Sequence, residues 1–219
     1  MKVALIGASG FVGAATLKEL LERGHEVIAV VRTRGKLQPA VNLTEIVADA
    51  YDSDAIAEAV ASADAVVSAF NPGWHDPDLY NKFLHGAAAI QRGVEASGVR
   101  RFIVVGGAGS LYVAPGVQLV DTPEFTSQVP EYVVPGAKAA RDAMAALTET
   151  RTLDWTFVSP PAFLEDGERS GSYRLGSDDL LMEGEKPAGI SVADLAIAIV
   201  DELEHPRHIR SRFTAAREL

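Results

Sequence analysis

Three glycines, Gly7, Gly10 and Gly13, stand three residues apart directly behind the apolar run Val3-Ala4-Leu5-Ile6. Where a strand turns into a helix, glycine does three physical jobs. One lets the chain turn tightly, one lets backbone approach a bound group, and one lets the helix pack closely on the sheet. The group received at such a point is an anion, because the first N–H groups of a helix lack partners and the helix dipole is positive there. The segment Gly7-Ala8-Ser9-Gly10-Phe11-Val12-Gly13 therefore reads as the phosphate loop of a dinucleotide site, with Ser9, Phe11 and Val12 among its contacts. The spacing is G-x-x-G-x-x-G rather than G-x-G-x-x-G, so the reading rests on its place between a strand and a helix.

A second set of candidates follows the next apolar run, Val27-Ile28-Ala29-Val30-Val31, in Arg32-Thr33-Arg34-Gly35-Lys36. In a dinucleotide-binding sheet, an acidic residue about 20 positions after the loop accepts from the ribose 2′-hydroxyl and selects NAD. Here the strand end carries no carboxylate and has three cations within five residues. A guanidinium suits a 2′-phosphate through paired, charge-assisted bonds. The expectation is a preference for NADP(H), with Arg32 as the contact and NAD(H) still possible; the alternative is a solvated basic loop.

Acid–base chemistry is less well provided for. A short-chain dehydrogenase uses a Tyr with a Lys four residues later, the Lys lowering the Tyr pKa so that it can pass a proton to the substrate oxygen. None of Tyr51, Tyr80, Tyr112, Tyr132 and Tyr173 has Lys at that distance; Val134 lies four residues before Lys138, and Tyr132 six before it. Reduction of an isolated carbonyl creates an alkoxide that needs a proton at once, whereas hydride delivered to a flavin, quinone or tetrapyrrole enters a delocalised system that water can protonate. A planar conjugated acceptor is expected. Ser110 could hydrogen-bond its carbonyl, or serve as a turn or cap serine. Lys138 could hold the nicotinamide ribose, or be a helix-surface lysine. In Asn71-Pro72-Gly73-Trp74-His75-Asp76-Pro77, Trp74 could stack on a flat ring and His75 could donate a proton, or the segment could be a plain surface turn.

The elements that must position these residues are legible in the pattern. Runs at 2–6, 27–31, 65–70, 101–105 and 153–158, with a shorter one at 44–47, lack strict alternation, as parallel strands covered on both faces do. Helical periods fall near 11–23, 53–61, 77–97, 136–149 and 192–204. The alternation predicts an α/β, doubly wound, parallel-sheet Rossmann fold in one domain spanning 1–219. Residues 160–190, rich in Gly and Pro, are expected to form most of a small C-terminal substrate-side lobe.

These pieces resemble the atypical short-chain dehydrogenase/reductases, and more narrowly the NmrA-like NAD(P)-binding group that includes NADH-flavin reductase and biliverdin reductase B-type proteins. The resemblance lies in residues 3–13, in Val30-Val31-Arg32 and Val47-Ala48-Asp49-Ala50, and in residues 101–110, 153–161 and 190–196. It covers nearly the whole chain. It implies that Asp49 bonds the adenine with Ala50 beside it, and that Ala69 and Phe70 line the adenosine and nicotinamide side. It further implies that Gly106 and Gly107 lie under the nicotinamide and that Pro160 borders it.

Composition closes off other classes. With no cysteine there can be no disulfide, thiolate nucleophile or cysteine-ligated metal. The five histidines are scattered, so no metal site is expected, and His205 and His208 read as surface residues. A net charge of −10 argues against nucleic-acid binding. No apolar run reaches the roughly 18–20 residues of a membrane span, and the N-terminal apolar stretch is too short for a signal peptide. A cytoplasmic location is expected. The functional expectation is an NADP(H)-dependent reductase of a planar acceptor; the alternatives are an epimerase or dehydratase, or a sensor that binds NADP(H) without turnover.

Overall fold

The computed structural model describes residues 1–218. Five strands of the parallel core, β1 (Lys2–Ile6), β2 (Glu26–Val31), β3 (Leu43–Val47), β4 (Ala65–Ser68) and β5 (Arg101–Val105), fall where the apolar runs place them. The sixth, β6, is Asp154–Ser159, followed by β7 (Arg174–Gly176) and β8 (Ser211–Ala216). The helices are α1 (Phe11–Glu22), α2 (Ser53–Val60), α3 (Leu79–Ser97), α4 (Pro123–Gln128), α5 (Val133–Thr148) and α6 (Val192–Glu204).

The sheet order is β7-β8-β6-β5-β4-β1-β2-β3. Every pair is parallel except β7 with β8. The run β3-β2-β1-β4-β5-β6 is that of a doubly wound Rossmann sheet, whose order reverses between β1 and β4. Along each strand alternate residues enter different cores. Val3, Leu5, Val27 and Ala29 pack toward α1 and α6, while Ala4, Ile6, Ile28 and Val30 pack toward the α2, α3 and α5 face. Both sets are buried, which is why the strands read as continuous apolar runs.

The C-terminal third departs from expectation. Strand β8 lies beyond the last element expected from the sequence, yet it pairs in parallel with β6, Phe213 beside Val158 and Thr214 beside Ser159. Its sequence, Ser-Arg-Phe-Thr-Ala-Ala, has three polar residues among six, Arg212 the second of them, so it lacks the apolar run that marked the others. Residues 160–190 are shared out. Phe163–Glu165 pairs with Gly189–Ser191, Arg174–Gly176 joins the main sheet as an edge strand, and Met182–Glu183 pairs with Lys186–Pro187. A second hairpin, Tyr112–Ala114 with Val117–Gln118, and helix α4 stand against these pieces.

Candidate functional site

At the end of β1 the chain turns at Gly7, whose φ is +84°. A Cβ at Gly7 would lie 2.5 Å from the carbonyl oxygen of Ala69, so only glycine lets the turn meet the end of β4, at the strand-order reversal. Gly10 N–H donates to Gly7 O at 2.9 Å and Gly10 caps α1. A Cβ at Gly13 would lie 2.0 Å from Gly7 O, so the first turn of α1 rests directly on the loop. Helix α1 begins with no side-chain cap and no acid in its first turn. Ser9, Gly10 and Phe11 are exposed, and Val12 is half-buried. Free N–H groups, an unneutralised helix end and a cradle that a single methyl would fill all fit a dinucleotide pyrophosphate.

The corner expected to take the adenosine gathers residues from three strand ends. Arg32 follows β2 and is exposed; among the described residues, neither it nor Arg34 nor Lys36 makes an ion pair. Glu45, on β3, is turned to the backbone, accepting from Gly35 N–H at 2.8 Å. Asp49 is exposed, and its Oδ1 accepts from Tyr51 N–H at 3.0 Å, an Asx turn that leaves Oδ2 unused; Ala50 beside it is buried. Tyr51 lies within the field of both Arg32 and Asp49. Its ring meets Phe70 edge-on at 5.9 Å and His85 at 5.3 Å, and burial pushes its hydroxyl above the ordinary tyrosine range. Tyr51 was absent from the sequence-derived site; only its place two residues after Asp49 could have signalled it. Ala69 abuts the glycine turn, while the Phe70 ring packs on Gly86 of α3.

The ends of β5 and β6, where the resemblance puts the nicotinamide, lie three and four strand spacings from the end of β2, roughly 14 and 19 Å. Gly106 and Gly107 extend β5, and buried Pro160 extends β6. A Cβ on Gly106 would meet the Phe157 ring at 2.0 Å, so packing beneath the strand end already demands glycine there. Beyond these residues opens a largely apolar cleft of about 920 Å³. Its lining comes from Ala108 and Ala162, from Tyr112, Val113 and Leu119, from Phe125 and Val129 of the α4 segment, and from Phe163, Leu180, Met182 and Pro187. Sequence reading gave the substrate side to 160–190 and missed the contribution of residues 112–129, whose hairpin and six-residue helix have no long period.

The structure separates the remaining candidates. Ser110 is corrected as an acceptor ligand: it is 2% exposed, and its Oγ and carbonyl oxygen both accept from Arg212 Nη1, at 2.9 and 2.8 Å. Arg212 also holds Asp178 at 2.6 Å and lies 5.9 Å from the centre of the Tyr112 ring, bracing the cleft wall from behind. Tyr112 lines the cleft, and its hydroxyl has no hydrogen-bond partner among the described residues. Lys138 is exposed on α5, close enough for its charge to act on Asp142, and is not part of the cleft lining. Trp74 packs on Gly136 at the start of α5, and the His75 ring meets that of Tyr132 at 4.4 Å, tilted by 44°, so this loop is seated on α5 instead of the cleft. Val134, where a short-chain dehydrogenase would have its tyrosine, packs with Val120 and Phe125. His208 is not a free surface residue: Nδ1 lies 2.8 Å from buried Glu202. No metal-holding cluster occurs among the described residues, and no helix is long and apolar enough to cross a membrane.

Comparison with known proteins agrees with this geometry. A family model for NAD(P)H-binding proteins matches residues 7–206. The uncharacterized protein YwnB of Bacillus subtilis is 39% identical over 221 residues, covering 100% of this chain and 99% of that one. A candidate epimerase from Bacteroides thetaiotaomicron superposes with a TM-score of 0.91 at 44% identity, over 100% of this chain and 97% of that chain. A candidate NADH-flavin reductase from Streptococcus pneumoniae gives 0.84 at 36% identity, over 100% of both. The chain is therefore a Rossmann-type, atypical short-chain dehydrogenase/reductase-like protein that belongs to the NAD(P)H-binding family.

Proposed function

We propose that this NAD(P)-dependent oxidoreductase prefers NADP(H) and passes hydride to a planar conjugated acceptor such as a flavin or quinone. The observation that carries the reading is the apolar cleft beside Gly106, Gly107 and Pro160, joined to a site with no Tyr-x-x-x-Lys pair. The chemistry supplied by the bound dinucleotide is hydride donation from its reduced nicotinamide. The loop of Gly7, Ser9, Gly10, Phe11, Val12 and Gly13 would bind the pyrophosphate, with Asp49 and Ala50 at the adenine, Ala69 and Phe70 along the crevice, and Lys138 at the nicotinamide ribose. Three cations free of ion pairs support Arg32 as the 2′-phosphate ligand. The apolar walls would exclude water and hold a flat ring, and Tyr112 could offer its free hydroxyl to an acceptor oxygen. The candidate flavin reductase from Streptococcus pneumoniae supports the acceptor class. The epimerase alternative is disfavoured because Val134 occupies the place of its proton-transferring tyrosine.

The test is to mix the protein with NADPH and, in turn, riboflavin, a quinone and biliverdin, following the nicotinamide absorbance. Oxidation with one of them is expected. Tight NADPH binding with no oxidation across the panel would favour a sensor. NADPH is expected to bind at least tenfold more tightly than NADH, with Arg32→Glu reversing the order; a wild-type preference for NADH would refute the 2′-phosphate assignment.

A further inference from the structure

The acceptor cleft carries a charge pattern that its apolar character hides. Its charged lining residues are Glu124, in the first turn of α4, and Asp179, between β7 and the hairpin that begins at Met182; Lys, Arg and His are absent from the lining. Both acids are exposed, and neither makes an ion pair among the described residues. The cation behind the wall, Arg212, has a side chain only 2% exposed and is committed to Asp178 and Ser110. No cationic side chain lines the cleft to offset an incoming anion, and the chain as a whole carries −10. Two cations without an ion pair stand near this side, Arg174, which donates to the backbone oxygen of Met182 at 2.7 Å, and exposed Lys186 in the hairpin, but neither lines the cleft; Arg32, Arg34 and Lys36 lie on the loop after β2.

We infer that the cleft selects planar acceptors that bear no anionic group. The inference rests on the reductase reading and narrows it: riboflavin and neutral quinones are taken, and phosphorylated flavins are disfavoured. A phosphate monoester carries close to two negative charges at neutral pH. Two carboxylates at the cleft repel it with a strength that falls as salt shortens the screening length to about 3 Å at 1 M. The same repulsion does not reach the cofactor's own phosphates, which are bound at the loop and at Arg32.

Riboflavin and FMN differ by one phosphate and share the isoalloxazine ring, so their ratio isolates the effect. Flavin fluorescence quenching on the protein loaded with oxidised NADP gives the two dissociation constants, and kcat/KM with NADPH gives the kinetic ratio. Riboflavin should exceed FMN by about tenfold at low salt. The ratio should approach one at high salt and in the double variant Glu124→Gln/Asp179→Asn. A control pair, Glu58→Gln/Glu149→Gln, removes the same net charge from exposed positions outside the cleft and should leave the ratio as it was. Equal binding of FMN and riboflavin, a control pair that narrows the ratio equally, or failure of both flavins to bind would overturn the inference. NADPH binding without oxidation would count against the reductase reading alone, because the flavin-binding ratio would still stand.

Discussion

The two edges of the sheet are built on opposite electrostatic plans. At the edge where the parallel strands begin, charges are matched. Lys2 pairs with Glu26, Arg100 and Arg210 with Asp154, and Arg101 with Glu202, which also accepts from His208 and from the backbone N–H groups of Arg207 and His208. Close by, Arg23 joins Glu19, Asp201 and Glu204. At the edge where the strands end, Arg32, Arg34, Lys36 and Lys138 have no ion-pair partner among the described residues, and α1 starts without an acid. Ion pairs concentrate at the first edge, although Arg151 and Arg207 have none there; the second holds Lys82 with Asp76 but leaves Arg32, Arg34, Lys36 and Lys138 for something outside the chain. Stability and ligand affinity should therefore respond to different residues.

The largest test of that division is Glu202→Ala. Removing it strands the nearly buried Arg101 guanidinium, and breaking such a pair costs about 3–5 kcal/mol. A fall in melting temperature of roughly 6–20 °C is expected for a chain of this size, with the NADPH dissociation constant within about twofold of wild type. A comparable loss of cofactor affinity would show that the edges are coupled. Next comes Gly13→Ala, where the new methyl must displace the Gly7 carbonyl. Overpacking of this kind costs about 1–3 kcal/mol, so NADPH should bind about 10- to 100-fold more weakly in a fluorescence titration, with a smaller change in melting temperature than Glu202→Ala produces.

The smallest effect concerns pH. Burial pushes the Glu202 carboxyl up, but the bonds from His208, the backbone and Arg101 outweigh it and hold the group below its ordinary value of 4.5. Its contribution to stability is complete above the unfolded value and is lost as pH falls through the folded one. Asp154 and Glu204 are held low as well, by Arg100 and by His25 and Arg23 respectively. Denaturant midpoints should be flat from neutral pH down to about 5 and should drop below that. Glu202→Gln should weaken the acid-side slope; an unchanged slope would remove Glu202 from this account.

How much could be read from the sequence follows from the same physics. The glycine loop was legible because its constraints are backbone constraints: Gly13 is dictated by the Gly7 carbonyl six residues earlier, and Gly7 by its positive φ as well as by Ala69 at the end of β4. The doubly buried strands announced themselves by composition. The cleft did not, because its walls come from residues 108–129, 162–163 and 179–187, brought together by topology, and none of those pieces has a period to detect. Ser110 misled for a related reason. Its position in the Gly-Gly-Ala-Gly-Ser stretch suggested the cleft, but its partner, Arg212, sits 102 residues away on a strand the hydrophobic pattern did not reveal.

That late strand has a consequence for biosynthesis. The loop, β1 and β4 can assemble from the first third of the chain, whereas Ser110 and Asp178 wait for Arg212 to tie them. Until Arg212 is made, Ser110 and Asp178 are untethered and the cleft wall is unbraced. A chain that stops before residue 212 should lack both a buried strand of the sheet and the tie that holds Ser110 to Asp178.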